Sequence, residues 1–390
     1  MAASTHAEES NSTQQTFRIG TRRSHLALVQ TDEVIKALRA AWPNASHRYE
    51  VCPMSSTADN NQQTALYKFN EKALWTQELE VELAEGRIDF IVHSLKDMPT
   101  QLPHGLELGC VTSRADARDA LVVKTGSEGK YRNLAELPEG AVVGTSSLRR
   151  IALLKRHYPH LKFADVRGNI GTRLAKLDNP DGKFDAIVIA VAGLVRIGMG
   201  NRITQYLSKN DGGMLHAVGQ GALGIETRSD DQRVEALLKV ISCQRSTRQA
   251  LVERSLLRTL EGGCSVPIGV ETEWLPRSTF MPERSGVGIQ PPDNFDKPVD
   301  VETSTIADHA AQPEQSNEDD DSDEMLMRAI VVSLEGDDAA EVEVRKIIHA
   351  NEDAEQFGWD VARLLVEKGA DKILEKITLD RGIIKDQDGA

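Results

Sequence analysis

The chain has 390 residues, a formal net charge of -14 and four cysteines, at positions 52, 110, 243 and 264. That length supports two or three domains and excludes a single small module, while cysteines with neither CxxC spacing nor a dense framework argue for a reducing compartment without a zinc site. The acidic charge is concentrated in residues 276–324 and the remainder is nearly neutral, its basic side chains clustered around particular loops, which gives little support to a general nucleic-acid surface; the absence of any apolar stretch long enough to cross a bilayer makes a soluble, cytoplasmic protein the expectation.

Residues 1–16 hold neither the apolar core of a signal peptide nor the arginines of a presequence, so they read as a disordered tail. Phe17 to Gly20 is a short strand that runs into Thr21-Arg-Arg-Ser24. Leu28, Ile35, Leu38 and Trp42 then mark one face of a helix. Tyr49 to Met54 reads as a second strand, polar Ser55 to Thr64 as a mobile loop, and Leu74 to Ala84 as a helix ended by Gly86. Ile88 to His93 is a nearly continuous apolar strand, as expected where a parallel strand is buried on both faces, and it breaks into Ser94-Leu-Lys-Asp-Met-Pro99.

The pattern then repeats. Strands are predicted at Ala141 to Gly144, Leu161 to Val166 and Phe184 to Ala190, and a helix over Leu148 to His157 follows the capping run Thr145-Ser-Ser147. Arg149, Arg150, Arg167 and Arg173 gather at two successive strand ends, where open α/β sheets bind ligands. Cations in the first turn of a helix oppose its dipole, so something anionic must compensate them. With the free N–H groups of helix N-termini, this region reads as a carboxylate or phosphate cradle. Gly219 to Glu226 is a glycine-rich turn entering a strand, without the context of a dinucleotide fingerprint.

Gln249 to Leu260 reads as a helix, and the glycines of Glu261-Gly-Gly-Cys264-Ser-Val-Pro267 end it, which presents a thiol on a loop just past a helix C-terminus. The dipole disfavours a standing thiolate there, so a thiol used once and then capped fits better than a cysteine nucleophile. Residues 276–324 hold 13 acidic against 3 basic side chains and several prolines, and read as a disordered insertion. Met325 to Leu334 and Glu341 to Ile348 alternate like antiparallel strands. A last helix follows, with Phe357, Val361, Leu364 and Leu365 on one face.

Six of these stretches, in order, resemble the porphobilinogen deaminase family: Gly20 to Ala27, Val92 to Pro99, Val143 to Arg150, Arg167-Gly-Asn169 with Thr172-Arg173, Ala217 to Ala222, and Leu260 to Cys264. The resemblance implies two doubly wound α/β lobes like those of periplasmic binding proteins, plus a small α+β C-terminal domain. It divides the chain into domain 1 at 17–117 and 217–241, domain 2 at 118–216, and domain 3 at 242–390. It also implies a dipyrromethane cofactor held by a thioether to Cys264. On that primer four porphobilinogen molecules would condense head to tail with loss of ammonia, before hydrolytic release of the linear tetrapyrrole hydroxymethylbilane. Asp97, with Lys96, would be catalytic. Lys96, Asp97, Ser146, Ser147, Arg149, Arg150, Arg173 and Gln220 would hold the cofactor, and Arg22, Ser24, Trp75, Thr145, Arg167 and Arg173 the substrate.

The chemistry suits these residue types. Loss of ammonia from an aminomethyl pyrrole leaves an electron-poor azafulvene, and a carboxylate at a strand end can stabilise the pyrrole N–H cation. Each porphobilinogen brings an acetate and a propionate, which arginine forks bind bidentately. The chain departs from the family pattern at Ala58 and Asn70, where glycine is expected, at Trp75, where phenylalanine is expected, and in the insertion. A monomer without nucleic-acid or membrane partners is expected. The competing readings are a non-catalytic binder of a small dicarboxylate and a cysteine hydrolase; the hydrolase would need His157 or His216, neither of which lies in a recognisable signature.

Overall fold

The structure is a computed structural model that describes residues 15–43, 45, 47–55, 76–260, 266–276 and 321–378, with backbone alone for Asp321. The strands among them are, in chain order, β1 Gln15–Arg22, β2 His47–Met54, β3 Phe90–Ser94, β4 Leu106–Val111, β5 Asp119–Val123, β6 Val142–Gly144, β7 Lys162–Ala164, β8 Ala186–Ala190, β9 Gln205–Leu207, β10 Leu223–Arg228, β11 Ile268–Pro276, β12 Asp321–Val332 and β13 Ala339–Ile347. They form three sheets, ordered β2-β1-β3-β10-β4, β7-β6-β8-β5-β9 and β11-β12-β13.

The first two sheets are built alike, each with one strand running antiparallel to both of its neighbours: β10 between β3 and β4, β5 between β8 and β9. These are the two strands that enter from the opposite lobe, so the chain passes between lobes after Val111 and again before Leu223. β5 and β8 are buried along their whole length, and β3 in all but Ser94, which accounts for their apolar runs. Helices cover the sheets. Helix His25–Ala41 buries Ala27, Thr31, Val34 and Leu38, whereas Leu28 and Trp42, expected on the same face, are 38% and 36% exposed. Leu28 lies one residue out of phase with that buried row, and Trp42 is the cap that follows the helix.

In the third domain helices Gln244–Thr259 and Asn351–Glu367 pack on β11–β13, with Val252, Leu256, Met327, Phe357 and Val361 in one core. A side chain at Gly358 would overlap the carbonyl of Val252, so glycine sets how closely the two helices approach. Leu364, expected on the buried face, is 37% exposed. The strand after the acidic insertion begins earlier than expected, because Asp321 to Glu324 already belong to β12 and Glu324 pairs with Ile347. Residues 277–320 lie outside the described residues.

Candidate active site

β1 and β6 occupy equivalent places in the two lobes, each between two parallel neighbours, and each ends at a serine that caps a helix. Ser24 accepts from the Ala27 amide at 3.3 Å and Ser147 from the Arg150 amide at 3.5 Å. The loop after β6 is fixed further by the Thr145 hydroxyl, which accepts from the Ser147 amide at 3.2 Å, and by Ser146, which donates to the Val166 carbonyl at 2.8 Å. Asn169 caps the next helix, Ile170–Asp178, by accepting from the Thr172 amide at 2.8 Å.

β3 breaks into a 3₁₀ turn over Leu95–Asp97, which lifts Asp97 out of the sheet. The Asp97 carboxylate lies 4.0 Å from Arg22, and both side chains are partly exposed, at 38% and 21%. They line one pocket with Ser24, Gln30, Thr76 and His93. Lys96, half-buried, donates to the Gln220 amide oxygen at 3.3 Å. Burial is the main force drawing the Lys96 ammonium down to about 8; Asp97 opposes it, and the neighbouring Arg150 adds to it.

The anion that compensates Arg149 and Arg150 is internal. Asp119, fully buried at the start of β5, accepts from Arg149 Nη1 at 2.8 Å, from Arg150 Nη2 at 2.7 Å and from Gln220 Nε2 at 2.9 Å. Burial by itself would raise this carboxyl; the two guanidiniums outweigh burial and hold it far below the ordinary carboxylate range. Arg149 also donates to the Leu215 carbonyl at 2.5 Å and Arg150 to the Val188 carbonyl at 2.9 Å. Asp119 carried no motif signal beyond being the one charged residue of an apolar strand, Asp119-Ala-Leu-Val-Val123.

Arg167 and Arg173 are different. Arg167 is 7% exposed, and its Nη1 has no hydrogen-bond partner among the described residues. Arg173 donates through Nε to the Gly168 carbonyl at 2.8 Å. It is drawn down to about 10, first by burial and then by Arg150, with Asp165 and Asp97 opposing and Arg167 adding. The cleft therefore brings together six cations (Arg22, Lys96, Arg149, Arg150, Arg167 and Arg173) and three carboxylates (Asp97, Asp119 and Asp165). A buried guanidinium nitrogen without an acceptor, next to mutually repelling cations, fits a ligand with several carboxylates.

Cys264 and Trp75 lie outside the described residues, as do Ala58 and Asn70. The helix Gln244–Thr259 that precedes Cys264 is described. Arg254, on the helix that leads to it, donates to the carbonyls of Met98 at 3.2 Å and Pro99 at 2.5 Å. This ties that helix to the loop carrying Asp97, a link across 155 residues that no local pattern reveals.

Residues 17–236 match the family description "Porphobilinogen deaminase, dipyromethane cofactor binding domain", and residues 247–279 match "Porphobilinogen deaminase, C-terminal domain". A porphobilinogen deaminase of Eremothecium gossypii is 47% identical over 371 residues, covering 94% of this chain and 98% of the relative. That of Yarrowia lipolytica is 44% identical, covering 93% of each chain. A third, of Synechococcus elongatus, is 52% identical over 256 residues, covering 66% of this chain and 78% of the relative.

Proposed function

The chain belongs to the porphobilinogen deaminase family, and on that premise we propose that its cleft condenses porphobilinogen units, with Asp97 as the catalytic carboxylate and Arg167 and Arg173 as the principal receptors for pyrrole carboxylates. The activity is that of a transferase, hydroxymethylbilane synthase, with a dipyrromethane cofactor. The observation that carries the site assignment is the buried Nη1 of Arg167 beside Arg173, which has no hydrogen-bond partner among the described residues and which an incoming carboxylate would satisfy.

When bound through Cys264, the cofactor supplies a covalently tethered nucleophilic pyrrole, which makes each coupling effectively intramolecular. The remaining steps belong to the chain's own side chains. Arg167 and Arg173 bind acetate and propionate groups, with Arg22, Ser24, Thr145 and Trp75 completing the substrate contacts. Lys96, Ser146, Ser147, Arg149, Arg150 and Gln220 contact the cofactor. Asp97 accepts from the pyrrole N–H and stabilises the positive charge that develops there as ammonia departs, at a partly exposed position from which protons can exchange. Asp119 keeps Arg149, Arg150 and Gln220 oriented, and Gln220 in turn holds Lys96.

The test is intact-protein mass spectrometry with an activity measurement. The purified protein should exceed its sequence mass by one dipyrromethane, and Cys264→Ala should lose both the adduct and turnover. A wild-type protein that is unmodified and fully active overturns the reading.

A further inference from the structure

Behind Asp97, on the face of the first sheet covered by helix Gln77–Ala84, lies a polar cluster that the mechanism above does not use. Glu226, on β10 opposite Ile91, is fully buried and lies 2.9 Å from Nε2 of His93, itself 5% exposed. Glu80, on the covering helix, is 5% exposed, and Thr76, just before that helix, is 1% exposed. Three oxygens of this group, Glu226 Oε1, Glu80 Oε1 and Thr76 Oγ1, have no hydrogen-bond partner among the described residues. His93 and Thr76 line the same pocket as Asp97.

Buried polar atoms are almost always paired, so two carboxylate oxygens and a hydroxyl that lack a partner at one place among the described residues call for a further donor. Carboxylate oxygens only accept; the Thr76 hydroxyl, which opposes the rise that burial and then Glu226 impose on the Glu80 carboxyl, supplies one donor, and the two carboxylates leave more lone pairs than it can serve. An anion is excluded by two neighbouring carboxylates. A small cation with several N–H groups satisfies both the charge and the lone pairs.

We propose that Thr76, Glu80, His93 and Glu226 form a receptor for ammonium, the group released at each addition of porphobilinogen. This rests on the function proposed above. The carbon–nitrogen bond of the aminomethyl group breaks with its electron pair leaving on nitrogen, and the lone pair of the pyrrole nitrogen replaces it at carbon. The proton lost from the attacking pyrrole carbon converts the departing ammonia to ammonium, so the step needs no oxidant or further reactant. The cluster draws the leaving group away from Asp97 and from the carbon it could re-attack.

The experiment uses holoenzyme and ammonium chloride, with sodium chloride at equal ionic strength as the reference. Ammonium should raise the melting temperature saturably above the sodium value, since a ligand bound only to the folded state stabilises it. It should also slow single-turnover addition of porphobilinogen. In Glu226→Gln and Glu80→Gln the half-saturating ammonium concentration should rise about tenfold, the loss expected for one charge-assisted hydrogen bond. Should either variant fail to fold, Thr76→Val supplies the same comparison without touching a charge. Equal effects of ammonium and sodium on the wild type, or unchanged half-saturation in the folded variants, overturn the inference and identify a water site only. Holoenzyme that adds porphobilinogen yet ignores ammonium sinks this inference alone, whereas a protein that adds no porphobilinogen sinks the function on which it rests.

Discussion

Replacing Asp119 by Asn tests whether the second lobe is held together at its entry strand. Asn keeps the shape and the Oδ1 acceptor used by Arg150 at 2.7 Å and by Gln220 at 2.9 Å. At the other oxygen it sets an N–H group against Arg149 Nη1, which now donates there at 2.8 Å. Two guanidiniums, 4% and 6% exposed, lose the carboxylate that compensates them. Removing one partner from a buried ion pair costs about 3–5 kcal/mol, and here one anion serves two cations, so the upper part of that range is expected. Urea denaturation followed by circular dichroism should show the midpoint of the affected transition falling by roughly 1 M or more. Acid supplies an independent check. The folded-state value of Asp119 lies below its ordinary 3.8, so its contribution is complete above that pH and is lost as pH falls through the folded-state value. The gap between wild type and variant should therefore stay constant from neutrality to about pH 4 and narrow below it. A variant within about 1 kcal/mol of wild type at pH 7 would refute the reasoning, since it would mean the arginines are satisfied elsewhere.

Three further outcomes are expected. Asp97→Asn should slow single-turnover addition of porphobilinogen by about a hundredfold or more, roughly 3 kcal/mol in the barrier, with little change in melting temperature; near-normal addition by the holo variant would leave Asp97 as a turn residue. Arg167→Leu should leave the stability of the cofactor-free protein unchanged or raise it, because a buried cation whose Nη1 has no acceptor among the described residues is removed, while addition falls at least about tenfold; a marked loss of stability would show that Arg167 is structural. In the cofactor-free protein the Lys96 ammonium is drawn down to about 8, so uptake of the anionic cofactor should weaken as pH rises above that value in the wild type and stay flat in Lys96→Arg. The stability sign runs the other way: burial disfavours the charged amine, and stability is regained between about 8 and the ordinary 10.5.

Local chemistry made much of this architecture legible. The apolar run of β3, the capping Ser147 and the glycine-rich entry to β10 each specify their element through backbone or burial requirements that act over a few residues. What stayed hidden depends on partners brought together by the two lobe crossings. Arg149 and Arg150 looked like cations awaiting a ligand because their counter-charge, Asp119, sits 30 and 31 residues away on a strand that arrives from the other lobe. Gln220, on the return crossing, bonds both Asp119 and Lys96. One buried carboxylate thus fastens the helix after β6, both crossings and the loop of Asp97. It follows that the positive charge of the cleft is of two kinds. That of Arg149 and Arg150 is largely spent internally and fixes geometry, while Arg167 and Arg173, the latter with Asp165 and Asp97 as charge neighbours, have no carboxylate hydrogen-bonded to them among the described residues and are the part a growing, increasingly anionic chain can use.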